Sequence, residues 1–133
     1  MPSKIVAEET IVVGTPVVLE GASPAGRVFV VFEDNGETGY FYAVEGSDEE
    51  IRILDAVHIY NCAAVKDGNI PSVVQIVWSA DGLKALLVIN RCPHAAFDFE
   101  ARRGYCRTGF PPPSPEWATG GHAWDDAVLA LFR

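Results

Sequence analysis

The sequence predicts a fold of the α+β class that is predominantly antiparallel β, a β-meander forming a curved sheet or partly open roll with one C-terminal helix packed on it. Apolar residues alternate with period two between Gly, Pro, Asn and Asp along most of the chain, and helix signals are scarce. With 133 residues, 49% of them apolar, the chain can close one core without a metal or a disulfide. We therefore expect a single domain spanning residues 1–133.

The first part of the chain predicts four strands. Two short strands are expected at residues 11–13 and 16–20. Residues 27–33 are apolar on both alternating faces, which predicts a strand in the middle of a sheet. After a turn at residues 34–39, residues 40–45 are rich in aromatic and β-branched side chains and complete a hairpin.

Residues 51–65 allow two interpretations. Ile53, Val57 and Tyr60 would share one face of a helix. The β-forming residues 57–60 favour a strand instead, with Asn61 ending it. We predict the strand.

Residues 72–108 predict a four-stranded meander. Its strands are expected at residues 72–79, 83–90, 95–101 and 105–108. Asp81-Gly82 suits a two-residue hairpin loop between the first two, because both residues tolerate positive φ. Residues 95–101 alternate apolar with polar, so one face should enter the core while the other stays wet or paired.

The C-terminal part predicts a strap and a helix. Residues 110–115 contain four prolines and cannot continue a sheet, so we expect an extended strap. Beyond Gly121, apolar residues recur at helical spacing, with Asp125 and Asp126 in the first turn, where the helix dipole favours them. The side chains that share the apolar face are Trp124, Ala127, Val128 and Leu131. This helix should lie on the sheet.

The charge is acidic and uneven. The formal net charge is -8, which disfavours binding to nucleic acid and to anionic membranes. All of this net charge lies in residues 1–60, since residues 61–133 carry seven acids and seven bases. Glu49 and Glu50 belong to a dense acidic stretch at a predicted loop. It is either a solubilising surface or a docking face for a basic protein partner.

Cysteine usage and the N-terminal sequence bear on the compartment. Cys62, Cys92 and Cys106 are an odd number and lie far apart, which fits a reducing environment. Glu8 and Glu9 interrupt the apolar run that a signal peptide would need. We therefore expect a cytoplasmic protein that does not enter a membrane.

Two clusters contain residue types that carry chemistry. Cys92, His94, Cys106 and His122 are zinc-ligand types, but their spacing is a weak match, so we predict no metal and no cofactor. His58 and Cys62 would lie about 13 Å apart along a strand, too far for proton transfer. No glycine-rich phosphate loop or nucleophile elbow is present, so we predict no catalytic residue.

Charged residues near the last predicted hairpin are candidate binding groups. Asp98 and Glu100 share one strand face, and Arg107 should stand opposite one of them, depending on where the hairpin turns. Arg102, Arg103 and Arg107 form the one basic cluster of the sequence. They are either solvated turn residues or a site for a carboxylate, phosphate or acidic partner.

Several segments together resemble a small bacterial family. They are residues 39–43, 55–61, 76–85, 97–100 and 104–107, of which His58-Ile59-Tyr60-Asn61 and Gly104-Tyr105-Cys106-Arg107 are the most distinctive. The chain resembles the domain of unknown function 2251 family. This resemblance implies a bacterial origin and a single-domain size, and it supplies no catalytic residues.

Two function classes remain. The first is a noncatalytic domain that binds a basic protein partner through its acidic part, for example as an immunity-type antagonist of a basic toxin. The second is a small enzyme or ligand-binding domain. Its polar pocket would be built from Asp98, Glu100, Arg107, His58 and Tyr60. The sequence does not specify an oligomeric state.

Overall fold

The computed structural model describes residues 3–46 and 49–132, which form two antiparallel sheets. The strands are β1 (Lys4–Ile11), β2 (Val17–Ala22), β3 (Val28–Asp34), β4 (Thr38–Gly46), β5 (Ile51–Asn61), β6 (Ser72–Trp78), β7 (Lys84–Ile89), β8 (Cys92–Asp98) and β9 (Arg103–Cys106). One sheet has the order β1-β6-β7-β8-β9 and the other the order β2-β3-β4-β5. Short 3-10 helices occur at Cys62–Ala64 and Asp126–Phe132. The predicted, mainly antiparallel β class with one C-terminal helix is confirmed.

The core lies between the two sheets and is rich in aromatic residues. Inward-facing side chains of both sheets, among them Phe32, Phe41, Trp78 and Phe97, are fully buried. The rings of Phe41 and Phe97 stack across the core with centroids 5.2 Å apart. The indole N–H of Trp78 donates to the carbonyl of Gly21 at 3.1 Å, so this large ring leaves no polar atom unpaired.

The hairpin connections are wider than predicted where a side chain organises the turn. Between β6 and β7 the last backbone bond joins Ser79 to Lys84 at 2.9 Å, so the connection has four residues and the predicted two-residue loop is wrong. Asp81 accepts hydrogen bonds from the Leu83 N–H and the Ser79 hydroxyl, which stabilises this wider turn. Gly82 adopts φ +72° within it.

The register of β8 against β9 also differs from both predicted alternatives. Asp98 pairs with Arg103, and Arg107 follows the end of β9 and bonds to His94, so Arg107 faces neither Asp98 nor Glu100. The Asp98 carboxylate accepts the N–H groups of Glu100 and Ala101, both at 3.0 Å. This bonding ends β8 at Asp98 and widens the turn, in which Arg102 adopts φ 56°.

The C-terminal helix lies on the outer face of the five-stranded sheet, as expected, but it is a 3-10 helix that begins at Asp126. Val128 is buried against Leu86, Val88 and Ala96 of that face. Ala96 and Asp98 on the outer side of β8 are buried, and Asp98 accepts backbone hydrogen bonds, so of the two predicted alternatives for this face the paired one applies there. No helix in the described residues is long and apolar enough to cross a bilayer.

The strap at residues 110–115 contains no strand, as predicted, and it closes the gap between the edge strands β5 and β9. The N–H of His58 donates to the carbonyl of Phe110 at 2.8 Å. Further along, the N–H of Cys106 donates to the carbonyl of His122, also at 2.8 Å. The C-terminal segment thereby accepts one backbone hydrogen bond from the edge strand of each sheet.

A buried pair fixes this closure. His122 is 2.7 Å from a carboxylate oxygen of Asp55, and the two side chains are 0% and 3% exposed. The other ring nitrogen of His122 lies 2.6 Å from the carbonyl oxygen of Pro111. Asp55 lies on β5, which confirms the prediction of a strand that ends at Asn61.

Candidate functional site: the open face of the four-stranded sheet

The outer faces of the two sheets are both apolar, but only one is covered. In the part of the chain that the structure describes, the C-terminal segment covers the five-stranded sheet, and no helix or strand packs over the outer face of the four-stranded sheet. We call this second surface the open face. It consists of Val18, Glu20, Phe29, Val31, Glu33, Tyr40, Tyr42, Ile53, Ala56 and His58.

Strand register arranges the open face in rows. One row crosses the sheet from Val18 through Glu33 and Tyr40 to His58. Val18 and Ile53, at opposite edges, are 58% and 62% exposed, which is high for aliphatic side chains on strands. An apolar surface left open beside polar residues is typical of an interaction site.

Aromatic rings form a strip across the open face. The rings of Tyr42 and Tyr40 stack with centroids 6.0 Å apart. The His58 ring meets Tyr40 edge-on at 5.5 Å, and Phe110 of the strap meets His58 at 5.9 Å. Phe110 is 54% exposed, so the strip continues beyond the sheet onto the strap.

His58, which the sequence suggested as a site residue, is held in place on this strip. One ring nitrogen lies 3.2 Å from the hydroxyl of Thr108 and the other lies 2.9 Å from the side-chain oxygen of Asn61. With both nitrogens engaged and only 9% of the residue exposed, the imidazole is fixed between the rings of Tyr40 and Phe110. Its neighbour Tyr60 points the other way, into the interior.

Tyr60 belongs to a hydrogen-bonded cluster around the carboxylate of Asp34. Only 1% of the Asp34 residue is exposed. One carboxylate oxygen of Asp34 accepts the Tyr60 hydroxyl at 2.7 Å and the N–H of Gly14 at 2.8 Å. The other accepts the N–H of Gly36 at 2.8 Å and the thiol of Cys62 at 3.5 Å. The cluster therefore ties three connections together at one end of the molecule.

The ionisation of this cluster follows from its hydrogen bonds. Burial opposes the charged form of Asp34, but the donors from Gly14, Tyr60 and Gly36 outweigh it and hold the pKa of the carboxyl below its usual value. Burial, together with the nearby Asp34 charge, raises the pKa of Tyr60 and of Cys62. Both groups therefore remain protonated donors at neutral pH.

Carboxylates line the end of the sheet next to the open face. Glu49 and Glu50 are exposed at the connection between β4 and β5, beside exposed Glu45. Glu50 and Glu45 line a hollow of about 490 Å³ together with Arg27 and Arg52. Asp48, which belongs to the same acidic stretch of sequence, lies outside the described residues.

Comparison with known sequences identifies the family. The sequence model of a family described as "Uncharacterized protein conserved in bacteria (DUF2251)" matches residues 11–133. The chain belongs to the DUF2251 family. A protein of Haemophilus influenzae, described as "Uncharacterized protein", is 38% identical over 107 residues. The match covers 80% of this chain and 66% of that relative, so the chain spans slightly less than two thirds of the relative's length. No solved structure matches.

Three of the other predicted site residues of this DUF2251 protein line a second cleft. Asp98, Arg103 and Arg107 border a space of about 690 Å³ beneath the C-terminal segment. The Arg107 guanidinium lies over the Trp124 ring at 4.2 Å, and that of Arg103 lies over the Tyr105 ring at 4.9 Å. Both arginines are thus engaged with the protein's own aromatic rings.

Glu100 and Arg102 lie at the turn beside this cleft. Glu100 pairs with Lys84 at 3.2 Å, and Lys84 also pairs with Asp81 at 2.8 Å. Arg102 is exposed in the turn after β8. Neither residue lines the cleft.

The predicted polar pocket of five residues is therefore not formed. Asp98 and Arg107 line the second cleft, and Glu100 pairs beside it. His58 lies on the open face of the other sheet, and Tyr60 points into the interior. The five residues lie in or next to strands of two different sheets, and Tyr60 and His58 point to opposite sides of β5, so the five side chains do not converge.

The cysteine and histidine candidates of the DUF2251 chain have other partners. His122 is bonded to Asp55 and to the Pro111 carbonyl, while a ring nitrogen of His94 lies 2.8 Å from the Cys92 carbonyl. No group of three metal-binding side chains occurs within residues 3–46 and 49–132. Cys62 bonds to Asp34 and does not meet His58, which lies on the opposite side of β5.

Sequence reasoning missed Tyr40, Tyr42, Val18 and Ile53 as site residues. The available signal was that residues 28–32 and 40–44 are apolar on both alternating faces. For residues 27–33 we interpreted this pattern as a strand in the middle of a sheet. β3 does lie inside its sheet, between β2 and β4, but its outer side is uncovered.

Proposed function

We propose that this DUF2251 protein is a binding domain that engages a basic protein partner through the open face. The observation that carries the proposal is the asymmetry between the two sheets. The chain's own C-terminal segment covers one apolar outer face, and the other presents exposed Val18 and Ile53 beside an aromatic strip. Apolar and aromatic residues of this kind dominate the buried centres of protein interfaces.

Charge indicates the kind of partner. Glu20 and Glu33 lie on the open face, and Glu45, Glu49 and Glu50 lie at its end. A basic surface would find opposite charge around an apolar centre, which accelerates association and selects the partner. An immunity-type antagonist that occludes a basic toxin is one concrete form of this function.

Rigidity supports the same role. The open face is built on four hydrogen-bonded strands, and the strap and the Asp34 cluster fix its ends. A preformed surface loses little conformational entropy on binding, so more of its contact energy appears as affinity.

The test compares two double variants that make the same chemical change in different places. Val18→Lys/Ile53→Lys alters the open face, and Ile5→Lys/Ile70→Lys alters aliphatic side chains outside it that are 52% and 57% exposed. Proteins captured from the native bacterium by the wild type are purified, and their affinities for all three proteins are measured by calorimetry.

We expect to capture a specific basic partner whose affinity for the Val18→Lys/Ile53→Lys variant is at least about 100-fold lower than for the wild type. The reason is that two apolar contact positions then carry the same sign of charge as the partner. The Ile5→Lys/Ile70→Lys variant should bind within about threefold of the wild type. Equal weakening by both variants, or none by either, would contradict the proposal.

A further inference from the structure

We infer that Glu33, Tyr40 and Tyr42 form a receptor for a guanidinium group, the side chain of an arginine on the partner. This inference rests on the proposed function and specifies its chemistry at one point of the open face. The three residues are half-buried neighbours on β3 and β4. We call them the guanidinium site.

Register brings the three side chains together. Glu33 stands opposite Tyr40 in the β3–β4 pairing, and Tyr42 lies two residues further along β4 on the same side. The Tyr42 hydroxyl donates to a carboxylate oxygen of Glu33 at 3.5 Å. The two tyrosine rings stack with their planes inclined by 22° and their centroids 6.0 Å apart, so both rings lie beside the carboxylate.

The Glu33 carboxylate can accept further hydrogen bonds. Glu33 forms no ion pair with any cation of the described residues. Burial and the nearby Glu33 charge raise the pKa of Tyr42, so its phenol remains neutral and keeps its hydrogen bond. A carboxylate accepts up to about four hydrogen bonds, and the Tyr42 hydroxyl supplies one weak bond.

A guanidinium group fits this arrangement better than an ammonium group does. It is planar and weakly hydrated, so it can stack on an aromatic ring while its edge donates to a carboxylate. A lysine ammonium is compact and strongly hydrated, and it gains less from the ring surface. Val18, directly across the sheet from Glu33, supplies an apolar wall for the methylene part of an arginine.

The same molecule uses this chemistry elsewhere. Arg103 stacks on Tyr105 and Arg107 stacks on Trp124, each within 5 Å of the ring centroid. Across the described ranges, no arginine or lysine lies over Tyr40 or Tyr42. The guanidinium site is therefore an aromatic surface with a neighbouring carboxylate and no cation of its own.

The experiment titrates 15N-labelled protein with ethylguanidinium chloride and, separately, with ethylammonium chloride at matched ionic strength. We expect saturable shifts of the amides of Glu33 and residues 39–43 with a Kd on the order of 10 mM, typical of one small cation on an exposed site. Ethylammonium should bind at least about threefold more weakly.

Conservative variants assign the site. Glu33→Gln should weaken ethylguanidinium binding at least about fivefold. Tyr42→Phe, which keeps the ring, should change it less than about twofold. Glu9→Gln, which removes an exposed carboxylate from β1 of the other sheet, should leave it unchanged. Non-saturating shifts, or equal effects of Glu33→Gln and Glu9→Gln, would overturn the inference.

The outcomes separate this inference from the proposed function. If Val18→Lys/Ile53→Lys abolishes partner binding while ethylguanidinium does not bind, the guanidinium site is wrong and the binding function stands. If ethylguanidinium binds as expected but the open-face variant keeps full affinity for the partner, the proposed function is wrong. Replacement of the partner's contacting arginine by lysine should weaken binding to the wild type and have little effect on binding to Glu33→Gln.

Discussion

Replacement of Asp34 by asparagine should destabilise the protein by about 3 kcal/mol. The carboxylate accepts three hydrogen bonds of 2.7–2.8 Å, from Gly14, Gly36 and Tyr60, and one longer bond from the Cys62 thiol. An asparagine keeps one oxygen and places an amide N–H₂ where the other oxygen was. At least one buried donor then faces a donor, and the remaining bonds lose their charged acceptor, each worth about 1.5–3 kcal/mol.

The assay is urea unfolding followed by tryptophan fluorescence. A loss of about 3 kcal/mol in the free energy of unfolding should appear as a lower midpoint with an unchanged slope, and as a decrease in Tm of about 10 °C. Asp67→Asn is the matched control, because Asp67 is exposed and its positive φ suits asparagine equally well. If the free energy of unfolding of Asp34→Asn lies within about 0.5 kcal/mol of the wild-type value, the structural role of this cluster is refuted.

Three further outcomes follow from the buried contacts. Because folding lowers the pKa of Asp34, the contribution of this carboxylate to the free energy of unfolding should be complete above its unfolded pKa of about 3.9. The contribution should decline as pH falls through the folded value. Urea midpoints measured from pH 6 to pH 3 should therefore fall more steeply for the wild type than for Asp34→Asn. His122→Ala leaves Asp55 buried without its partner and should cost about 3–5 kcal/mol in urea unfolding, with faster proteolysis of the strap; unchanged proteolysis would contradict its anchoring role. Gly104→Ala places a Cβ 2.9 Å from the Asp55 carboxylate and should lower the unfolding free energy by about 1–3 kcal/mol, whereas Gly121→Ala, which meets nothing within 4 Å, should change it by less than about 1 kcal/mol.

Local sequence patterns predicted most of the strands, because alternation and turn residues are local properties, but the strand predicted at residues 11–13 is wrong, since β1 spans Lys4–Ile11. The hairpin of β3 and β4, the strand at β5 and the meander from β6 to β9 all follow from such patterns. The lengths of the turns that depend on one side chain could not be predicted from these patterns. Asp81 and Asp98 each bond to backbone N–H groups of the next residues and widen a turn, and alternation contains no signal for this.

The candidate site was predictable only in part. The sequence suggested His58 and the acidic stretch at Glu49 and Glu50 as binding residues, and in the structure His58 lies on β5 within the open face while Glu49 and Glu50 lie at its end. The Tyr40–Glu33 neighbourhood depends on the pairing of two strands, and the openness of the face depends on which sheet the C-terminal segment covers. Alternation shows that a strand has two apolar faces, but it does not show what covers each face.

If the open face is the surface that a partner covers, NMR cross-saturation should locate the contact there residue by residue. The 14.4 kDa chain is labelled with deuterium and 15N, its captured partner is left unlabelled and irradiated, and the loss of amide signal is measured for each residue. We predict that the losses concentrate on β2 to β5, with the largest at Glu33, Tyr40, Tyr42 and Ile53. Losses concentrated on the C-terminal segment or the cleft beside Arg103, with none on the open face, would contradict it.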